Sequence, residues 1–208
     1  ISAACPRHAK QNPKGGVGKS TLATNMAGAL AHRGHAVMLG DVDRQQSARQ
    51  WLGLRPAALP AIRGWDSEGD ILRPPKGVTH AVLDTPAGLH GKRLDVVLRL
   101  ADKLVIPLQA SLFDIQATHA FLAEVRAHKH AERVVIGLVG MRVKEHTLAA
   151  EQLQHYTAQL GLPVLATLRD TTNYVQLAAH GLTLWDAAPS RVERDLAQWQ
   201  PLLDWLER

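Results

Sequence analysis

"QNPKGGVGKSTLATN", residues 11–25, decides the fold. Gly15, Gly16 and Gly18 let the backbone turn its N–H groups inward, and the run from residue 19 to 34 carries helical periodicity. A helix beginning there sets its positive end under the loop, so the natural guest is a phosphate. The pattern G-x-x-x-x-G-K-[ST] assigns Lys19 to the β- and γ-phosphates and the Ser20 hydroxyl to a Mg²⁺ ion, with Pro13 standing where the first glycine of the pattern falls. The expected phosphate site therefore runs through Lys14, Gly15, Gly16, Val17, Gly18, Lys19, Ser20 and Thr21. Lys14 exceeds the requirement, because such a loop needs only one lysine.

Outward from the loop, short runs rich in Val, Ile and Leu alternate with longer amphipathic stretches, the pattern of strands buried between two helical layers. Strands are expected at 35–43, 80–85, 103–108, 133–141 and 163–168, and helices at about 19–33, 44–53, 90–101, 114–130, 146–160, 171–180 and 190–207. Connections of that length imply right-handed parallel crossovers, hence an α/β fold with a doubly wound, mostly parallel sheet flanked by helices, the P-loop NTPase architecture. The 208 residues are expected to form a single domain, and the Pro-bearing segments at 54–60 and 73–77 are read as surface connections. The opening "ISAACPRHAK" resists this scheme, because Pro6, Arg7, His8 and Lys10 stand where a central strand wants an unbroken apolar run.

Two strand ends bring carboxylates to the edge that carries the loop. Asp84, closing "HAVLD", suits a hold on Mg²⁺ through water, and Asp41 and Asp43 in "GDVDRQQSA" suit the orientation of an attacking water. Taken singly, each aspartate reads as a helix cap or turn residue; three at these spacings read as a site. Guanine recognition wants an N/T-K-x-D segment after a late strand, and "GMRVKEH" at 140–146 has none, so ATP is favoured over GTP.

Composition narrows the setting. Hydrophobic residues make up 46% and charged residues 21%, and no apolar tract is long enough to span a bilayer. Lys and Arg total 24 against 19 acids, a net charge of +5, which permits a polyanionic partner without demanding one. Cys5 is the one cysteine, so a disulfide framework and a cysteine-ligated cluster are excluded within one chain. A reducing, cytoplasmic location is expected, with no secretory signal pattern at the start of the sequence.

"KGGVGKST" matches the deviant Walker A motif of the ParA/MinD family of ATPases, and the chain also resembles that family at "DVDRQQS", "LDTPAG" and "VIPLQASLFDIQAT". The resemblance spans roughly residues 10–190, with Arg44 where family members often carry proline. It implies that Lys14 reaches the nucleotide of a second subunit, so that ATP is sandwiched in a homodimer, that Asp43 is the switch residue for hydrolysis, and that Asp84 holds the metal. Lys14, Lys19 and Asp43 are then the catalytic set, with Ser20 and Asp84 serving Mg²⁺.

The family's branches differ in what the switch is attached to. Val192, Leu196, Trp199, Leu203 and Leu206 share one helical face that would suit a MinD-like membrane anchor or core packing. Three arginines against four acids over 190–208 disfavour anionic lipid, so core packing is expected. A tyrosine-kinase branch wants a tyrosine cluster, whereas Tyr156 and Tyr174 are the only two. What the resemblance leaves is a ParA-type positioning ATPase, without a preceding helix-turn-helix domain, slow until stimulated by a cargo-bound ParB-like activator. It implies nucleoid association through sequence-independent DNA binding, for which Arg142, Lys144, Arg169, Arg191 and Arg194 are the candidates. The alternatives are a MinD-like membrane-associated ATPase and a nucleotide-impaired protein-binding module, the latter motivated by the irregular first strand.

Overall fold

Short apolar runs buried on both faces need two helical layers to cover them, and the computed structural model, which describes residues 7–10, 16–65 and 74–208, has that arrangement. Seven parallel strands form one sheet: β1 (Arg7–Lys10), β2 (Val37–Asp41), β3 (Ile62–Trp65), β4 (His80–Asp84), β5 (Lys103–Leu108), β6 (Val135–Val143) and β7 (Val164–Arg169). Their spatial order is β3-β2-β4-β1-β5-β6-β7. The helices are α1 (Lys19–His32), α2 (Ser47–Leu54), α3 (Gly91–Leu100), α4 (Leu112–Arg126), α5 (Leu148–Gln159), α6 (Asn173–Ala178) and α7 (Pro189–Glu207).

The segment that resisted the sequence reading is the centre of the sheet. Arg7–Lys10 pairs with β4 through Arg7↔Ala81 and with β5 through His8↔Lys103, so its backbone is laddered on both sides. Position in the ladder overrides the polar composition of this strand. Pro6 and Cys5 lie outside the described residues. The strand that sequence reasoning missed is β3, which among the described residues pairs only with β2 and is one of the sheet's two edges; Arg63 and Gly64 are exposed, so it carries little of the apolar signal of a buried strand.

Alternation along each strand divides the core. Val37 and Leu39 of β2, Val82 of β4 and Val105 of β5 face a cluster with Leu22, Met26 and Leu30 of α1 and Trp199 and Leu203 of α7. Met38, Leu83, Leu104 and Ile106 face the other way, against Leu94 and Leu98 of α3 and Phe121 and Leu122 of α4. Val192, Trp199, Leu203 and Leu206 are all buried and Leu196 packs against them, so the apolar face of α7 is spent on the core, as expected. Among the described residues no helix is long and apolar enough to cross a membrane.

A buried ion pair ties α2 to the region before α7. The Asp186 carboxylate accepts from Arg55 Nη1 at 2.9 Å and Nη2 at 3.1 Å, and from the Thr183 backbone N–H and hydroxyl at 2.7 Å each, while His32 Nε2 lies 2.7 Å away. Burial works to raise the Asp186 pKa, but these donors outweigh it and hold it at about 2. The side chains of both Arg55 and Asp186 are almost wholly inaccessible, so removing one leaves the other buried and unpaired. Asp186→Ala is therefore expected to destabilise the fold by about 3 kcal/mol in urea denaturation. The contribution of the depressed pKa is complete above about pH 4 and is lost as pH falls toward 2. A variant as stable as the parent across that range would show that the pair contributes nothing.

Candidate functional site

The loop between β1 and α1 opens at the carboxyl end of the central strand, where the strand order reverses and helices leave the sheet in two directions. Gly18 is the cap of α1 with φ +94°, a conformation that favours glycine, and the Cβ it lacks would lie 2.7 Å from the Met141 methyl. The Met141 methyl is the far end of a flexible side chain and can move aside, so it is the positive φ that favours glycine at residue 18. Gln109, after β5, donates from Nε2 to the Gly16 carbonyl at 3.3 Å, which fixes the loop from a second side. Lys14 and Gly15 lie outside the described residues.

These elements surround a cleft of about 760 Å³. Gly16, Gly18, Lys19, Ser20 and Thr21 line one wall, Asp43 and Arg44 a second, and the 86–90 loop with Arg93 of α3 a third. Val17 points inward and is 2% exposed, so its side chain serves packing while the loop backbone faces the cleft. Lys19 is mostly buried, and burial pushes its pKa below the ordinary lysine range, opposed by the carboxylates of Asp84 and then Asp43. The Lys19 ammonium, flanked by two carboxylates, borders the space a phosphate would enter.

The two aspartates at the end of β2 and just beyond it take different settings. Asp41 turns its carboxylate onto the chain itself: Oδ1 accepts from the Asp43 N–H at 3.0 Å, and Oδ2 from the N–H groups of Ala48 at 2.8 Å and Arg49 at 3.2 Å, at the start of α2. Asp41 thus organises the loop. Asp43 lines the cleft, with Oδ1 accepting only a local bond from the Gln45 N–H at 3.1 Å.

The donors available for a cation are all oxygen. Ser20 borders the cleft, Asp84 ends β4 beside Lys19 and is 1% exposed, and the buried Thr85 hydroxyl next to it has no hydrogen-bond partner among the described residues. Such a set fits a hard ion such as Mg²⁺, which takes one or two protein oxygens and completes its shell with phosphate and water. Among the described residues no three His, Cys, Asp or Glu side chains gather into a metal cage.

A second cavity of about 250 Å³ adjoins the first and was invisible in the sequence. Gly18, Thr21 and Arg142 border both spaces, and the segment from Arg169 to Val175 closes the second. That segment is held by α7. Asp195, fully buried, accepts from Arg169 Nε at 2.5 Å and Nη2 at 3.2 Å and from Asn173 Nδ2 at 2.7 Å, and Trp199 Nε1 donates to the Tyr174 hydroxyl at 2.9 Å. Burial raises the Tyr174 pKa to about 12, so the phenol stays neutral.

The five basic residues singled out for DNA fall in different settings. Arg142 faces the cleft and Arg169 is paired with Asp195. Arg191 donates to Gln176 Oε1, and Arg194, 61% exposed in its side chain, donates to Glu145 Oε2 at 2.6 Å. Lys144 is exposed.

Comparison with known proteins points the same way. The model of the CobQ/CobB/MinD/ParA nucleotide binding domain matches residues 9–184. The maintenance of carboxysome distribution protein A of Gloeobacter kilaueensis is 31% identical over 95% of this chain and 92% of its own length. The chromosome-partitioning ATPase Soj of Thermus thermophilus is 27% identical over 88% of this chain and 89% of its own. Among solved structures, apo McdA of Cyanothece superposes with a TM-score of 0.78 at 16% identity, covering 98% of this chain and 99% of that one, and an ATP complex of Cyanothece McdA superposes at 0.75.

Proposed function

Because the chain belongs to the CobQ/CobB/MinD/ParA nucleotide-binding family, we propose that it is an ATP-driven positioning switch: it dimerises on Mg-ATP, binds DNA without sequence preference, and lets go when a cargo-bound, ParB-like activator stimulates a slow hydrolysis. The observation that carries this reading is the cleft itself, where Lys19, Ser20 and Asp43 converge from two elements on a space sized for a nucleotide's phosphates. The neighbouring cavity, sharing Gly18 and Thr21, suits the base and ribose.

In this reading Lys19 binds and neutralises the β- and γ-phosphates, and Asp43 orients the attacking water for in-line displacement. Ser20 and Asp84 would hold a Mg²⁺ ion, which would supply charge neutralisation at the transferred phosphate. Lys14 of the partner protomer adds a further cation across the dimer, and Lys144, Arg191 and Arg194 offer the phosphate contacts for DNA.

The dimer carries its own test. Wild-type protein should double its mass by light scattering with a slowly hydrolysed ATP analogue and stay monomeric with ADP, and Lys14→Ala should remain monomeric while still holding nucleotide. A Lys14→Ala dimer of normal strength would remove the cross-subunit role.

A further inference from the structure

Arg142 is built into a place where the backbone departs from its relaxed course. Its φ is +52°, the left-handed region that side chains seldom occupy, and the pairing of β6 with β7 loses register between Gly140 and Val143. A bulge of this kind at a strand end re-aims a side chain. The same strand end is held against the phosphate loop, where the Met141 methyl occupies the space left by the missing Cβ of Gly18.

The side chain so aimed borders both the large cleft and the smaller cavity, at their junction. Gly18 and Thr21 share that position but carry no charge. Among the described residues Arg142 has no hydrogen-bond or ion-pair partner, whereas Arg169 is held by Asp195, Arg191 by Gln176 and Arg194 by Glu145. Its donors are unspent, and the residue, exposed to solvent, borders a binding space.

Resting on the nucleotide reading above, we infer that Arg142 is a binding residue for the α-phosphate of a nucleotide that spans the two cavities, and not a contact for DNA. A nucleotide with its phosphates in the cleft and its base in the cavity must pass its α-phosphate through the junction. The paired N–H groups of a guanidinium match two oxygens of such a group.

The inference separates Arg142 from the loop lysine, which serves the β- and γ-phosphates. ATP and ADP both carry an α-phosphate, so Arg142→Ala should weaken both by a similar factor, roughly 10- to 100-fold. Arg142→Gly, which suits the left-handed backbone, should bind as weakly as Arg142→Ala even if it is the more stable of the two; Arg142→Lys should fall between these and the parent.

The experiment is isothermal titration of each variant with Mg-ATP analogue and with Mg-ADP, beside Lys19→Ala and the parent, followed by DNA binding at saturating nucleotide. Equal losses for ATP and ADP, with DNA binding restored once nucleotide saturates, support the assignment. A loss for ATP alone would place the contact on the γ-phosphate and overturn it. Unchanged nucleotide affinity with lost DNA binding would return Arg142 to the DNA surface. Parent protein that binds no nucleotide would defeat the nucleotide reading itself and this inference with it.

Discussion

Replacing Lys19 by alanine should lower the affinity for ATP roughly a thousandfold while leaving the fold intact. The expectation follows from where the lysine sits. It opens α1, borders the cleft, and lies mostly buried between the fields of Asp84 and Asp43, so its ammonium is a cation held at the phosphate loop itself. Truncation removes that charge and leaves two carboxylates facing the incoming polyanion, which adds repulsion to the lost attraction. Stability should change little or rise, because a partly desolvated cation is relieved. Titration calorimetry reads the affinity, and thermal melting without nucleotide reads the fold. Tight ATP binding by Lys19→Ala would mean that the cleft is not the phosphate site.

The second large effect is kinetic. Asp43→Ala should reduce ATP hydrolysis roughly 10²- to 10⁴-fold with nucleotide affinity nearly unchanged, because a carboxylate that orients water acts in the transition state and contributes little to ground-state binding. Asp41 makes the contrast informative. Its carboxylate secures three backbone N–H groups around the 43–49 turn, so Asp41→Ala should lower hydrolysis and stability together, whereas Asp43→Ala should lower hydrolysis alone. Single-turnover phosphate release reads the hydrolysis of each variant, and urea denaturation separates the two. Wild-type hydrolysis by Asp43→Ala would move the water-orienting role to another group.

Much of this architecture was legible before any coordinates. The expected strand at 103–108 coincides with β5, and the expected helix at 19–33 with α1, because both carry strong periodicity and sharp boundaries. Lys19, Ser20, Asp43 and Asp84 are brought to one edge of the sheet, as parallel topology requires. The family reading holds, since the matching domain model covers most of the chain.

What escaped the sequence has physical reasons. β3 is an edge strand of four residues with an exposed arginine and glycine, too short and too polar to register as a buried run. β1 is polar where a central strand is apolar, yet its ladder to β4 and β5 is complete, so pairing rather than side-chain character defines it. The second cavity is assembled from residues near 18, 142 and 170, distant in sequence and joined only by the fold. The basic residues of the C-terminal half could not be sorted by sequence, because a guanidinium paired with Asp195, one paired with Glu145 and one lining a cleft all read as surface charge.

The central claim is that nucleotide state governs attachment to DNA. It is tested most directly by measuring binding of the purified protein to random-sequence DNA with Mg²⁺ and a slowly hydrolysed ATP analogue, against Mg-ADP, at several salt concentrations. Tight binding with the analogue, little with ADP, and a steep fall in affinity with salt are predicted, since contacts made only to phosphates release counterions. Equal binding in both nucleotide states, or none in either, would contradict the switch.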